Sequence, residues 1–246
     1  MIREGAKDET QIAVQRVRGN MKTDMKEYDI ILQNGHILVA EAGGKLLIDT
    51  GSPMSFHSTG RLTLCGQTFS VPTTLMNVDA DYVSDKVGTR VEGFVGMDII
   101  ARLGMSVDLP AGKLTFGADT QGWHRIPSSI FGVVKMDVTV GGKPACVALD
   151  TGAPISYISP AFTEGYACVA TETDFSPFSG TDTFEVPIYE VPVSLDGGEG
   201  VTMRLGTLPP DVGGMLSLFR LDGAIGLELL SGTAVLIADG SVWLRS

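Results

Sequence analysis

Leu46-Leu47-Ile48-Asp49-Thr50-Gly51-Ser52-Pro53-Met54 and Val147-Ala148-Leu149-Asp150-Thr151-Gly152-Ala153-Pro154-Ile155 decide the reading of this chain. Each copy is an apolar strand running into Asp-Thr-Gly, then a small residue, then proline. One Asp-Thr-Gly is a weak signal in a chain with 31 glycines; two with matching flanks are a strong one.

The repeat extends outward. Glu92-Gly93-Phe94-Val95-Gly96-Met97-Asp98-Ile99-Ile100 matches Asp222-Gly223-Ala224-Ile225-Gly226-Leu227-Glu228-Leu229-Leu230. After each comes a strand–turn–strand: 105–116, turning at Ala111-Gly112, and 233–244, turning at Asp239-Gly240. Before each Asp-Thr-Gly lies another hairpin. One is Tyr28–Leu32 with Ile37–Ala40 about Asn34-Gly35; the other is Val133–Val140 with Cys146–Leu149 about Gly141-Gly142. Helix signals are few, at Met97–Leu103 and Leu227–Leu230. The sequence therefore predicts an all-β, bilobal fold with pseudo-twofold symmetry. Its parts are an N-terminal segment 1–27, a first lobe 28–120 and a second lobe 121–246. Within 1–27, Gln11–Arg18 reads as an extra strand or a tail, and a short propeptide is a third option.

Composition removes other classes. Hydrophobic residues make up 43% of 246, enough for a core, and no run approaches the roughly 18 apolar residues a membrane helix needs. A net charge of -11 without a basic cluster argues against nucleic acid or an anionic membrane as partner. Cys65, Cys146 and Cys168 form no CxxC and read as small, half-buried apolar side chains. His36, His57 and His124 form no metal motif and read as structural. Ser52 with His57 could in principle be a nucleophile and base, but no third member is placed. The N-terminus has no apolar signal region and the thiol count is odd, which predicts a cytoplasmic location; a removed leader would instead mean secretion or the periplasm.

Two carboxylates on facing turns have a definite chemistry. Placed a few Å apart, they resist double ionisation and share a proton. One then takes a proton from a bound water while the other gives one to the carbonyl oxygen of a scissile amide.

The doubled Asp-Thr-Gly, each followed by apolar-apolar-Gly, resembles the aspartic proteases of the pepsin and retropepsin clan, from about Tyr28 to Leu244. The resemblance implies an aspartic endopeptidase acting on peptide or protein substrates, favoured at acidic pH, monomeric, with no metal or organic cofactor. It implies Asp49 and Asp150 as the catalytic dyad. Thr50 and Thr151 would each bond the opposite lobe's backbone, and Gly51 and Gly152 would complete the turns. The Ser52 hydroxyl would bond the outer oxygen of Asp49. Ala153 cannot do this for Asp150, which points to Asp150 as the protonated member.

Pro53 and Pro154 depart from the pepsin pattern, and no first-lobe flap with a tyrosine is evident. The second copy carries its surplus at about Thr171–Tyr189, which predicts a single flap there, tipped by Phe178, Ser179, Gly180 and Thr181. The competing readings are a non-catalytic peptide-binding or inhibitory module on the same fold, and a scaffold part of a larger assembly.

Overall fold

The computed structural model describes residues 24–245 except 77, 176–182, 196, 197, 199, 208–213, 215 and 217. The fold is all-β and two-lobed, with each lobe built on its own sheet. In the first, Gly44–Ile48 runs parallel to Gly93–Val95, pairing Leu47 with Phe94 and Ile48 with Val95. In the second, Lys143–Leu149 runs parallel to Gly223–Ile225, pairing Ala148 with Ala224 and Leu149 with Ile225. The repeat read in the sequence is thus a repeat in space. Apolar strands leading into each Asp-Thr-Gly are buried on both faces, as strands inside a covered sheet must be.

A third sheet of six strands joins the halves, in the order Lys26–Asp29, Lys113–Phe116, Met105–Asp108, Ala234–Ala238, Ser241–Arg245, His124–Ile126. Its two central strands pair antiparallel, Val107 with Val235 and Ser106 with Leu236. One hairpin comes from each half, so the order reads the same from either edge. The main apolar cluster runs through this sheet into both lobes, from Ile37 and Ile48 to Val147 and Ile225.

Two local readings are corrected. Tyr28–Leu32 is not one arm. The chain breaks at Ile30, sending Lys26–Asp29 to the shared sheet and leaving Ile31–Gln33 to pair with His36–Glu41. Ala80–Val87 is a helix the sequence reading omitted. Asp79 caps it by accepting the Tyr82 amide at 2.8 Å, and Gly88 ends it in a left-handed conformation. Its face of Ala80, Val83 and Val87 covers Leu38, Leu47 and Phe94 on the first-lobe sheet. The segment Gln11–Arg18 lies outside the described residues.

Candidate active site

Each parallel pair of strands delivers one aspartate. The Asp49 amide donates to Val95 O at 3.0 Å and the Asp150 amide to Ile225 O at 2.8 Å, so both loops start from the same anchor. Beyond it, Gly51 and Ser52 amides donate to Asp49 Oδ1 at 2.9 and 3.0 Å. Gly152 does the same for Asp150 Oδ1 at 2.9 Å.

The threonines tie the loops together. Thr50 Oγ1 donates to Leu149 O at 2.7 Å and accepts the Thr151 amide at 3.0 Å. Thr151 Oγ1 donates to Ile48 O at 2.8 Å and accepts the Thr50 amide at 3.1 Å. Both threonines are buried, and each hydroxyl is used as donor and acceptor across the lobe boundary.

The glycines let the carboxyls in. A Cβ on Gly51 would lie 2.3 Å from the Asp150 carboxyl carbon, and one on Gly152 would lie 2.7 Å from that of Asp49. No side chain fits in either place, so each glycine lies against the opposite lobe's carboxyl. The two carboxyls lie close enough to act on each other's ionisation. Both retain partial exposure, which leaves room for a water to reach them.

Burial and the charge of Asp150 push the Asp49 carboxyl up to about 7, against the pull of the Ser52 and Gly51 amides. Asp150 is also raised by burial, opposed by the Gly152 and Ala153 amides and by the nearby His36 charge. Such a pair titrates as a unit.

One contact expected from the resemblance is absent. The Ser52 hydroxyl donates to Met54 O at 2.8 Å; it is the Ser52 amide that reaches Asp49. The hydroxyl contact used to place the proton on Asp150 is therefore not made; instead Asp49 Oδ1 accepts two amides of its turn and Asp150 Oδ1 one, the Ala153 amide donating to Asp150 O at 3.3 Å. The same contact commits the Ser52 hydroxyl away from nucleophilic use, while His57 Nδ1 faces Thr59.

Two serines escaped the sequence reading. Ser55 Oγ accepts the Gly96 amide at 2.8 Å and donates to Asp98 at 2.6 Å; Ser156 Oγ accepts the Gly226 amide at 3.0 Å. Both are buried and brace the active loop against the strand behind it. Their signal was present, as each stands six residues after its aspartate.

The prolines have a role too. A Cβ on Gly35 would meet Pro154 Cβ at 3.2 Å, and one on Gly132 would meet Pro53 Cβ at 3.7 Å. Each loop's proline rests on a hairpin turn of the opposite lobe.

The surplus in the second half is a long hairpin, Cys168–Phe175 with Thr183–Leu195, in register from Phe175–Thr183 to Cys168–Tyr189 with one irregularity. The expected tip residues Phe178, Ser179, Gly180 and Thr181 lie outside the described residues. The first lobe has instead a short hairpin, Arg61–Leu64 with Gln67–Ser70, as a separate two-stranded sheet.

The chain is similar in fold to the aspartic proteinase from Irpex lacteus. The two superpose with a TM-score of 0.47 at 15% identity, over 90% of this chain and 97% of that one. No family model matches the sequence, and no curated protein matches it.

Proposed function

We propose that this protein is an aspartic endopeptidase, hydrolysing peptide bonds by a water activated between Asp49 and Asp150. The observation that carries the reading is the carboxyl pair itself: two aspartates from opposite lobes, each against the other's glycine turn and held by an amide of its own turn, with proton affinity raised in both. In the singly protonated pair the ionised carboxyl removes a proton from water. The protonated one donates to the carbonyl oxygen, so the attacking oxygen and the amide carbon are activated in one step. Collapse of the tetrahedral intermediate returns a proton to the leaving nitrogen and restores the pair.

Supporting this, the threonine network fixes the relative position of the carboxyls from both sides. That is what a reaction needing sub-ångström alignment requires. Both aspartates come from one chain, so the reading takes a single copy as the working unit. An extended peptide would lie between the lobes, pairing its backbone with strand edges.

The test is a peptide library digested across a range of pH and read by mass spectrometry, with and without a statine-type inhibitor. Cleavage by the wild type that is blocked by the inhibitor and lost in Asp49→Asn supports the reading. Cleavage that survives Asp49→Asn, or peptide binding with no turnover, refutes it.

A further inference from the structure

Phe56 and Tyr157 stand at the same place in the two copies. Each follows a bracing serine, and each pairs with the middle residue of the strand behind the loop, Phe94 or Ala224. Phe56 is fully buried and meets the Phe94 ring edge-on at 4.5 Å. Tyr157 adds a hydroxyl, which donates to the carboxylate of Asp174. Asp174 lies on the long hairpin that the first lobe lacks. The extra hydroxyl thus occurs in the half that has something for it to hold.

The hairpin needs holding at that point. Its second strand pairs with Val201–Gly206 only from Val193 back to Ile188. Beyond that, and past the Thr207 amide on Pro187 O at 3.4 Å, Thr171–Phe175 and Thr183–Pro187 pair only with each other among the described strands. A two-stranded ribbon is marginal by itself in water. Here its inner face packs Val186 and Ile188 against Tyr157, with Ile155, Ala170 and Phe184 at the margin. Gly206 makes the space, since a Cβ there would stand 2.5 Å from Val186 Cγ1 and 3.1 Å from Tyr157 Cε1. Asp174 pairs with Phe184, one step from the outermost described pair, so the bond grips the ribbon far from its root. Glu172, on the same strand, is engaged by Arg204 at 2.6 Å. The anchor at the other end is Tyr157, seven residues after Asp150 on the strand that leaves the active loop.

The geometry points to Tyr157 and Asp174 as a positioning pair, which sets the stance of the paired strands 171–175 and 183–187 beside the Asp150 loop and thereby how tightly a peptide is held. The consequence for peptides rests on the peptidase reading; the consequence for the ribbon does not.

The test compares full-length wild type with Tyr157→Phe, Asp174→Ala, Asp174→Asn, the double variant Tyr157→Phe/Asp174→Ala and, as a control, Glu172→Gln. Amide hydrogen exchange over 171–175 and 183–187 is the first readout. Exchange there should quicken about fivefold or more in Tyr157→Phe and Asp174→Ala. It should stay near wild type in Asp174→Asn, whose amide oxygen still accepts, and in Glu172→Gln. The double variant should match Asp174→Ala, since once the carboxylate is gone the Tyr157 hydroxyl has no such bond left to lose. The second readout is cleavage of a library-derived peptide, where KM should rise several-fold with kcat within about twofold. Unchanged exchange in Tyr157→Phe, additive effects in the double variant, or a fall in kcat at constant KM would overturn the assignment. A wild type that cleaves no peptide would instead defeat the peptidase reading, and exchange alone would then decide the pair.

Discussion

At the residue scale the protein turns on how Asp49 and Asp150 hold a proton. Folding raises the proton affinity of both, chiefly by burial. A carboxyl raised in this way contributes stability that is fully present below the ordinary carboxylate range, about 4, and is lost as pH rises through the folded value near 7. Asp49→Asn removes the ionisable group. It is therefore expected to melt higher than wild type at neutral pH, each kcal/mol recovered being worth about 2–4 °C, with the difference vanishing in acid. Calorimetry at two pH values checks the sign. Thr50→Val has the opposite effect. It strands the Leu149 carbonyl and the Thr151 amide in a buried place, so a loss of about 2–4 kcal/mol is expected in denaturant unfolding. Both aspartates and both threonines were legible because the motif is short, contiguous and present twice. The direction of the Ser52 hydroxyl was not, because a side-chain rotamer beside two competing acceptors leaves no trace in residue type.

At the scale of elements, hairpins with strong turn chemistry were readable. Asp239-Gly240 and Asn34-Gly35 both turn with positive φ at each residue. What was lost was local and mixed. Ala80–Val87 spans about two turns of only modest hydrophobicity, too short for its apolar face to stand out, although Asp79 and Gly88 marked its ends. Asp79→Ala should cost about 1 kcal/mol by removing the side-chain cap at the N-terminus of that helix. The split of Tyr28–Leu32 between two sheets was invisible because the Lys26–Asp29 arm finds its partner, Lys113–Phe116, far away in sequence while Ile31–Gln33 keeps the neighbouring strand. The Gly35 turn shows how an element reaches the site. Its φ of 78° disfavours any side chain, and a Cβ would press on Pro154. Gly35→Ala is expected to destabilise the fold by about 1–2 kcal/mol and to lower the rate of peptide cleavage by displacing the loop behind Asp150. Denaturant melts and kinetics on the same sample would show both effects or neither.

At the scale of the whole molecule, the shared sheet is what brings the two halves of one chain together. Val107 beside Val235 joins the two hairpins back to back, and the threonines close the other end of the boundary. The aspartates therefore meet without a second copy. The duplication was plain from sequence. The joining sheet was not, because strand partners across a pseudo-twofold axis are set by the packing of both halves together. The pair's raised proton affinity also sets the expected working range. Cleavage should be strongest in acid, and should fall as the shared proton leaves near 7. The most direct measurement is the pH dependence of kcat/KM for one cleaved peptide, with wild type and Asp150→Asn side by side. The account predicts an alkaline limb near 7 for wild type and no activity at any pH for the variant. Activity retained by Asp150→Asn, or a wild-type rate indifferent to pH through that range, would contradict it.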